Sequence, residues 1–178
     1  MLICAGSRDE YACFHELEQN ERVNIDYKTF LNKRNSEVVI LAIHGGEIES
    51  GTSELATNLA EKGGYSSYVF EALKASSNRN LHITSTNFDD EDACNMVQKS
   101  NMTISIHGYR GEGEVVSVGG LDKALKIEFL IQLKKDGFSA VEATAPIAGT
   151  DLCNIVNKNK KKAGVQLELT TDLRKKFL

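Results

Sequence analysis

The sequence predicts an α/β fold in which one twisted, mixed and mostly parallel β-sheet lies between layers of helices. Short apolar segments of strand length alternate along the chain with segments of helical periodicity, which is typical of such a sheet covered on both faces. The 178 residues can bury one core, and no internal repeat or low-complexity segment divides them. We therefore expect a single domain over residues 1–178.

Three elements begin the chain. Residues 9–19 place apolar side chains at helical spacing, which predicts a short helix. Residues 23–31 alternate apolar and polar side chains and predict a strand with one solvated face. Residues 37–43 contain the apolar run VVILAI, which is typical of a central strand buried on both faces.

A helix is predicted next, over residues 52–62, with Thr52 or Ser53 as its N-cap. Two glycines directly after residue 62 are typical of a helix end. Residues 65–73 are rich in aromatic side chains and predict an extended segment.

In the middle of the chain, the sequence predicts a strand, a helix and then two further strands. Residues 81–86 (LHITST) read as a strand, and residues 88–99 have an amphipathic helical pattern after an acidic first turn. Residues 102–109 (MTISIHGY) alternate apolar and polar positions, and residues 114–118 (EVVSV) are a short apolar run.

The last part of the chain begins with the clearest helical pattern, over residues 121–135, where the apolar residues share one face. Residues 139–145 and 165–170 (VQLELT) predict strands. Residues 150–156 predict a short helix, and residues 171–178 a final helical turn.

Composition narrows the classes of function. A formal net charge of −4 argues against non-specific nucleic-acid binding, and no segment is apolar enough to span a bilayer. The N-terminus has no basic region before its short apolar run, so we expect a cytoplasmic protein unless lysis or another route releases it. Four scattered cysteines without a CxxC pair favour free, largely buried thiols over disulfides. We expect a monomer.

Two histidines mark a candidate metal site. His44 and His107 each follow an apolar strand and precede a glycine, and they are two of only four histidines. Ligands in open α/β sheets bind beyond the carboxyl ends of the strands, and zinc in hydrolases takes three ligands from His, Asp and Glu. The alternative is a pair of structural histidines. The third ligand would be Glu47 or Glu49, and the sequence pattern does not separate them.

Glu168 is the candidate general base. It lies in the middle of a late apolar strand, where a carboxylate is costly unless it faces a site, a cation or water. Glu142 occupies a similar position in residues 139–145, but a solvated sheet edge explains it better.

Substrate binding is expected from positively charged groups. Arg174 and Arg110 follow the candidate site residues closely, and either guanidinium would hold a substrate carboxylate through two hydrogen bonds. The basic residues at 158 and 160–162 form a solvated loop or guide an anionic polymer. His82 is interpreted as structural or as a support for the site, and His15 as a surface residue on the first helix.

Six motifs together resemble one enzyme family. HGGEIESGTSELA, LHITSTNFD, ISIHG, VSVGG, NIVN and GVQLELTTDLR occur over residues 26–174 in the order found in the poly-γ-glutamate hydrolase family of bacteriophages and prophages. That family is similar in fold to zinc carboxypeptidases, with a twisted mixed sheet between helices. The resemblance implies a single catalytic domain that cleaves the γ-glutamyl amide bonds of an anionic polymer.

The resemblance also implies roles for individual residues. One zinc ion would be bound by His44, Glu49 and His107, with Glu168 as the catalytic glutamate. Independently of the resemblance, the position of Arg174 shortly after Glu168 predicts that it acts in catalysis and that, together with the backbone N–H groups at the Thr52–Ser53 helix start, it holds substrate carboxylates. Arg110 and Lys158 are further candidates for substrate binding.

One position departs from the family pattern. Lys158 stands where the pattern has Arg after NIVN, which replaces a two-pronged donor with a point charge and bears on substrate affinity.

Two other functions fit the same motifs. A zinc deacylase of small N-acyl amino acids would use a similar site, and a relative without metal would only bind the acidic polymer. Metal analysis and a polymer-cleavage assay separate them.

Overall fold

A seven-stranded mixed sheet forms the centre of the protein in a computed structural model that describes residues 9–178. The strands, in chain order, are β1 Tyr27–Asn32, β2 Val38–Gly46, β3 Ser66–Ala72, β4 Met102–Tyr109, β5 Val115–Gly120, β6 Ser139–Glu142 and β7 Val165–Thr170. Their order across the sheet is β1-β3-β2-β4-β7-β5-β6. The pairs β1–β3 and β5–β7 are antiparallel and the remaining pairs are parallel. The predicted mixed, mostly parallel sheet is confirmed.

Helices cover both faces of this sheet. They are α1 Phe14–Asn20, α2 Thr52–Gly63, α3 Glu91–Lys99, α4 Lys123–Lys135 and α5 Thr171–Arg174, with short 3-10 turns at Asn78–Leu81, Ile155–Asn157 and Lys175–Phe177. One core lies under α1 and α3 and is rich in aromatic rings, including Phe14, Phe70 and Phe88. The other lies under α2, α4 and α5 and is mainly aliphatic. Both faces are therefore buried, as the apolar run in β2 predicts.

The strand predicted over residues 81–86 is wrong. Leu81 ends a 3-10 turn, and residues 82–86 pair with no strand in the part of the chain that the structure describes. Their backbone is held by side chains instead: the Thr84 N–H donates to Asp9 Oδ2 at 2.6 Å, and the Ile83 carbonyl accepts a hydrogen bond from His44 Nε2 at 2.8 Å.

The helix predicted over residues 150–156 is also wrong, apart from the turn at Ile155–Asn157. Short polar side chains take the hydrogen bonds that a helix would need, which favours turns. Asn154 Oδ1 accepts the Val156 N–H at 3.1 Å, and Asn157 Nδ2 donates to two upstream carbonyls.

The start of α2 also differs from the prediction. The N-cap is Gly51 with a φ of 94°, and no side chain caps the helix. A Cβ at Gly51 would lie 2.5 Å from the carbonyl oxygen of Arg174, so both the left-handed backbone and the close approach require glycine. Thr52 and Ser53 lie inside the first turn, and Gly64 ends the helix in the left-handed conformation.

Cys13 and Cys94 are free thiols, as predicted, but they are half-buried rather than buried, and Cys153 is half-buried as well. Cys4 and most of the N-terminal apolar run lie outside the described residues. Within residues 9–178, no helix combines the length and the apolar character needed to cross a bilayer.

Candidate metal centre and active site

The predicted site residues come together where three parallel strands end. β2, β4 and β7 are neighbours, so their carboxyl ends meet at one edge of the sheet. His44 lies near the end of β2, His107 near the end of β4 and Glu168 within β7. His107 and Glu168 are paired across β4 and β7, so their side chains share one face. All three line a cavity of about 940 Å³.

A bulge near the end of β2 aims His44 into this cavity. The pairing of β2 with β3 shifts by one residue between Ala42 and Gly45. Unbroken alternation would send the His44 side chain to the face of Ala42, into the core under α2 and α4. With the extra residue, the imidazole lies on the face of His107.

His44, Glu49 and His107 present three ligand atoms to one point. His44 Nδ1 lies 3.1 Å from His107 Nδ1 and 3.3 Å from Glu49 Oε1. Glu49 Oε2 lies 3.8 Å from His107 Nδ1 and accepts the Gly108 N–H at 2.8 Å. All three residues are buried, with exposed fractions of 3%, 7% and 2%. Glu47 lines the cavity but is exposed, so the structure brings Glu49 to the histidines.

The hydrogen bonds around the two imidazoles indicate which nitrogen is available. His44 Nε2 lies 2.8 Å from the Ile83 carbonyl oxygen, which only accepts, so Nε2 carries the proton and Nδ1 presents its lone pair. His107 Nε2 is buried and has no hydrogen-bond partner among the described residues. Its Nδ1 is the nitrogen that faces His44 and Glu49.

The charges in the cluster suit a cation. Burial raises the pKa of Glu49, but His44, His107 and the Gly108 N–H outweigh it and lower that pKa to about 2. Burial and the neighbouring His44 lower the pKa of His107 to about 3. Burial lowers the pKa of His44, but the Glu49 carboxylate outweighs burial and raises it. An ionised carboxylate beside imidazole lone pairs is a donor set that zinc accepts.

The spacing of the three ligand atoms fits a zinc ion. Ligands at about 2.0–2.1 Å from a tetrahedral zinc lie about 3.3–3.4 Å from one another. His44 Nδ1 lies 3.1 Å from His107 Nδ1 and 3.3 Å from Oε1 of Glu49, and His107 Nδ1 lies 3.8 Å from the other carboxylate oxygen of Glu49, Oε2. The residues present therefore fit the ion.

His82 brings another ring nitrogen near the same point. One ligand atom from each of His44, Glu49 and His82 lies within 4.8 Å of the others. However, the His44 and His82 rings are stacked, with centroids 4.0 Å apart and planes at 26°. A metal ion lies in the plane of the ring that binds it, about 2.0–2.1 Å from the nitrogen, and stacked planes do not meet that close to the rings. The His44 and His107 planes cross at 65° with their Nδ1 atoms facing, a geometry that favours His107 over His82 as the partner of His44 and Glu49.

Glu168 is held beside this cluster. It is 5% exposed, and its Oε1 accepts a hydrogen bond from Gln166 Nε2 at 2.9 Å, while Asn154 Nδ2 donates to Gln166 Oε1 at 2.9 Å. Burial and the Glu49 carboxylate raise the pKa of Glu168 to about 8. A carboxyl group with a pKa near neutrality is suited to proton transfer.

Three arginines line the cavity. Arg79 and Arg110 are exposed, whereas Arg174 is 8% exposed. Arg174 donates to the carbonyl oxygens of Ser50 at 2.6 Å and Leu169 at 3.3 Å, and it forms no salt bridge with a carboxylate of residues 9–178. A buried guanidinium that forms no salt bridge favours an anionic ligand.

Some predicted substrate-binding residues do not reach the cavity. The Thr52 hydroxyl donates to the Glu49 carbonyl at 2.8 Å, and Ser53 Oγ accepts the Gly46 N–H at 3.1 Å, so both buried side chains serve the fold. Lys158 is half-buried and does not line the cavity. Glu142 is exposed and pairs with Lys126, as expected of a solvated edge.

Sequence reasoning missed Arg79, Asp9 and Gln166. Arg79 belongs to a polar loop with no periodic signal, and Asp9 reaches His82 from 73 positions away. Gln166 lies two residues before Glu168, so the same alternation that selected Glu168 places both on one face.

The amino-acid sequence of this chain is similar to those of several known proteins. Residues 11–178 match the family model for poly-gamma-glutamate hydrolase. UPF0714 protein YndL of Bacillus subtilis (strain 168) is 42% identical over 171 residues, which are 95% of this chain and 67% of YndL. SPbeta prophage-derived UPF0714 protein YoqZ of the same strain is 41% identical over 171 residues, which are 95% of this chain but only 61% of YoqZ. The chain thus spans about two thirds of these relatives.

Solved structures agree with the fold. The structure of a bacteriophage poly-gamma-glutamate hydrolase superimposes with a TM-score of 0.90 at 36% identity, covering 93% of this chain and 81% of that chain. A zinc-free apo form of YndL superimposes with a TM-score of 0.90 at 42% identity, covering 95% of this chain and 83% of that chain.

Proposed function

This chain belongs to the poly-γ-glutamate hydrolase family, and from that membership we propose that it is a zinc-dependent hydrolase of the γ-glutamyl amide bonds of poly-γ-glutamate. The observation that carries the proposal is the convergence of His44, Glu49 and His107 on one point of a large cavity, with buried Glu168 beside them. The zinc-free apo form of YndL adds support, because the distinction implies that this relative also has a zinc-bound form.

His44, Glu49 and His107 would hold the ion. Zinc bound there would polarise the scissile carbonyl and acidify a water molecule toward neutral pH. Glu49 brings one negative charge and the neutral imidazoles bring none, so the bound centre would keep a net positive charge. The Gly108 N–H and the Ile83 carbonyl fix the orientation of Glu49 and His44.

Glu168 would move the proton. Its carboxylate takes a proton from the attacking water as the new C–O bond forms, and gives it to the amine nitrogen as the C–N bond breaks. Gln166 holds Oε1, which leaves Oε2 of Glu168 for this exchange. The raised pKa makes the carboxylate a stronger base than a solvated glutamate.

The arginines would hold the polymer. Each γ-linked residue carries a free α-carboxylate, and guanidinium groups bind carboxylates through paired hydrogen bonds. Arg79 and Arg110 are exposed in the cavity and offer such contacts, and Arg174 lies buried close to Glu168. This local positive charge counters the net charge of −4 that would otherwise repel a polyanion.

Incubation with γ-linked polyglutamate, followed by sizing of the products, tests the proposal. We expect shortening of the polymer, its loss on chelation and its return with added zinc. Small N-acyl amino acids should remain uncleaved under the same conditions. Cleavage of the small substrates alone would support the deacylase function, and a zinc-loaded protein that leaves the polymer intact would contradict the proposal.

A further inference from the structure

His82 lies directly against one of the proposed zinc ligands. Its ring stacks on that of His44 with centroids 4.0 Å apart, and it lines the cavity with a side chain that is 14% exposed. The stacking excludes it from binding the same ion as His44. His82 therefore has no role in the proposed hydrolysis, although its imidazole lies directly against that of His44.

Asp9 holds the segment that contains His82. Asp9 Oδ1 lies 2.8 Å from His82 Nδ1, and Asp9 Oδ2 accepts the Thr84 N–H at 2.6 Å. Burial raises the pKa of Asp9, but the hydrogen bonds of Thr84 and His82 outweigh it and lower that pKa to about 2. One ionised carboxylate thus fixes both the ring of His82 and the backbone two residues further on.

The residue between these two anchors is Ile83, whose carbonyl accepts the His44 Nε2–H at 2.8 Å. Besides its contacts with Glu49 and His107, His44 thus has a stacked ring from residue 82 and a carbonyl acceptor from residue 83. Neither contact depends on a strand ladder, since the segment pairs with no strand. The orientation of His44 then depends on the two hydrogen bonds of Asp9.

We propose that Asp9 and His82 form a positioning clamp that holds the His44 imidazole with Nδ1 directed at Glu49 and His107, and thereby sets the affinity of the site for zinc. The inference rests on the proposed zinc centre. His82 and Asp9 are positioning residues, because each would affect the ion through His44 and not by binding it. Groups that orient metal ligands in this way typically change metal affinity by about 10- to 100-fold when removed.

Three variants test the clamp through zinc affinity, measured by competition with a chromophoric chelator. His82→Ala removes the ring and should weaken zinc binding by about 10- to 100-fold. His82→Phe cannot bind metal but keeps a flat ring against His44, so it should retain one zinc with an affinity closer to that of the wild type. Asp9→Asn keeps the size of the side chain but loses its charge, and should weaken zinc binding in the same direction as His82→Ala.

His15→Ala is the matched control, because that histidine is exposed on α1 with a side-chain exposure of 67%. Its zinc affinity should equal that of the wild type. Thermal unfolding of the metal-free proteins separates positioning from folding. His82→Phe and Asp9→Asn should both unfold within a few degrees of the wild type, while Asp9→Asn binds zinc more weakly than His82→Phe. At saturating zinc, KM for the polymer should be unchanged.

Two results would overturn the clamp. If His82→Phe lost zinc as completely as His107→Ala, His82 would be a ligand. If His82→Ala and Asp9→Asn bound zinc as tightly as the wild type, the segment would not position His44. A wild-type protein that binds no zinc would instead remove the proposed function, and the clamp with it.

Discussion

Replacing Glu168 with Gln separates the catalytic role of this carboxylate from its effect on stability. The side chain is 5% exposed and accepts a hydrogen bond from Gln166, which an amide oxygen at the same place also accepts. The variant should fold and bind zinc. Without a group that takes the proton of the attacking water, kcat should fall by about 10²- to 10⁴-fold, with little change in KM.

The same substitution should stabilise the metal-free protein at neutral pH. Burial and the Glu49 carboxylate raise the pKa of Glu168 from 4.5 to about 8. Between those values the unfolded chain has released the proton that the folded chain keeps, so stability falls as the pH rises. At about 1.4 kcal/mol per pH unit, keeping this proton would cost the folded state at most about 3.5 kcal/mol at pH 7, and the cost disappears below pH 4.5.

Two assays check both halves of this prediction. Polymer cleavage at saturating zinc gives kcat, and urea unfolding of chelator-treated protein at pH 4.5 and pH 7 gives the free energy of unfolding. Glu142→Gln is the matched control, because that glutamate is exposed on β6 and should change neither quantity by much. A Glu168→Gln protein with wild-type kcat would refute the assignment of the base. A variant less stable than the wild type at pH 7 would refute the electrostatic reasoning.

Three further substitutions test the contacts around the site. His107→Ala should abolish stoichiometric zinc binding, measured by metal analysis, because it removes one of three ligands. Gly108→Ala should leave the fold intact but lower kcat/KM by at least about 10-fold, since the new Cβ would lie 2.3 Å from Arg174 Nε and displace the guanidinium. Gly51→Ala should lower the free energy of unfolding by at least about 2 kcal/mol, because a φ of 94° and an approach of 2.5 Å to the Arg174 carbonyl both exclude a Cβ.

The substitutions at His107 and Gly51 each have a matched control. His15→Ala should keep zinc, so a loss of zinc there would point to general unfolding rather than to a ligand. Gly113→Ala has a positive φ of 69° but nothing within 4 Å of its Cβ, and should cost only about 1 kcal/mol. Equal losses of stability at Gly51 and Gly113 would contradict the close approach, and wild-type activity in Gly108→Ala would remove Arg174 from the reaction.

The strands that carry the site were predictable because their signals are local. β4 and β7 have the bounds that their apolar alternation predicts, and the run in β2 identifies a doubly buried strand. Parallel strands bring their carboxyl ends to one edge of the sheet, so the sequence alone predicts that His44 and His107 lie close together. The parallel pairing of β4 with β7 then places Glu168 opposite His107.

The remaining features depend on contacts between distant residues. The bulge that turns His44 arises in the pairing of β2 with β3, and the choice of Glu49 over Glu47 depends on the Gly108 N–H, 59 positions away. Glycine is required at the N-cap of α2 because a Cβ at Gly51 would lie 2.5 Å from the carbonyl oxygen of Arg174. The segment at residues 81–86 reads as a strand by composition, but Asp9 and His44 take its backbone groups. None of these contacts leaves a periodic signal in the sequence.

The most direct measurement is a crystal structure of the zinc-loaded protein with anomalous data at the zinc edge. We expect a single strong anomalous peak within about 2.3 Å of Nδ1 of His44, Nδ1 of His107 and a carboxylate oxygen of Glu49. His82 should remain stacked on His44 without contact to the ion. A peak bound by His82 in place of His107, or zinc bound only elsewhere on the protein, would contradict the proposed centre.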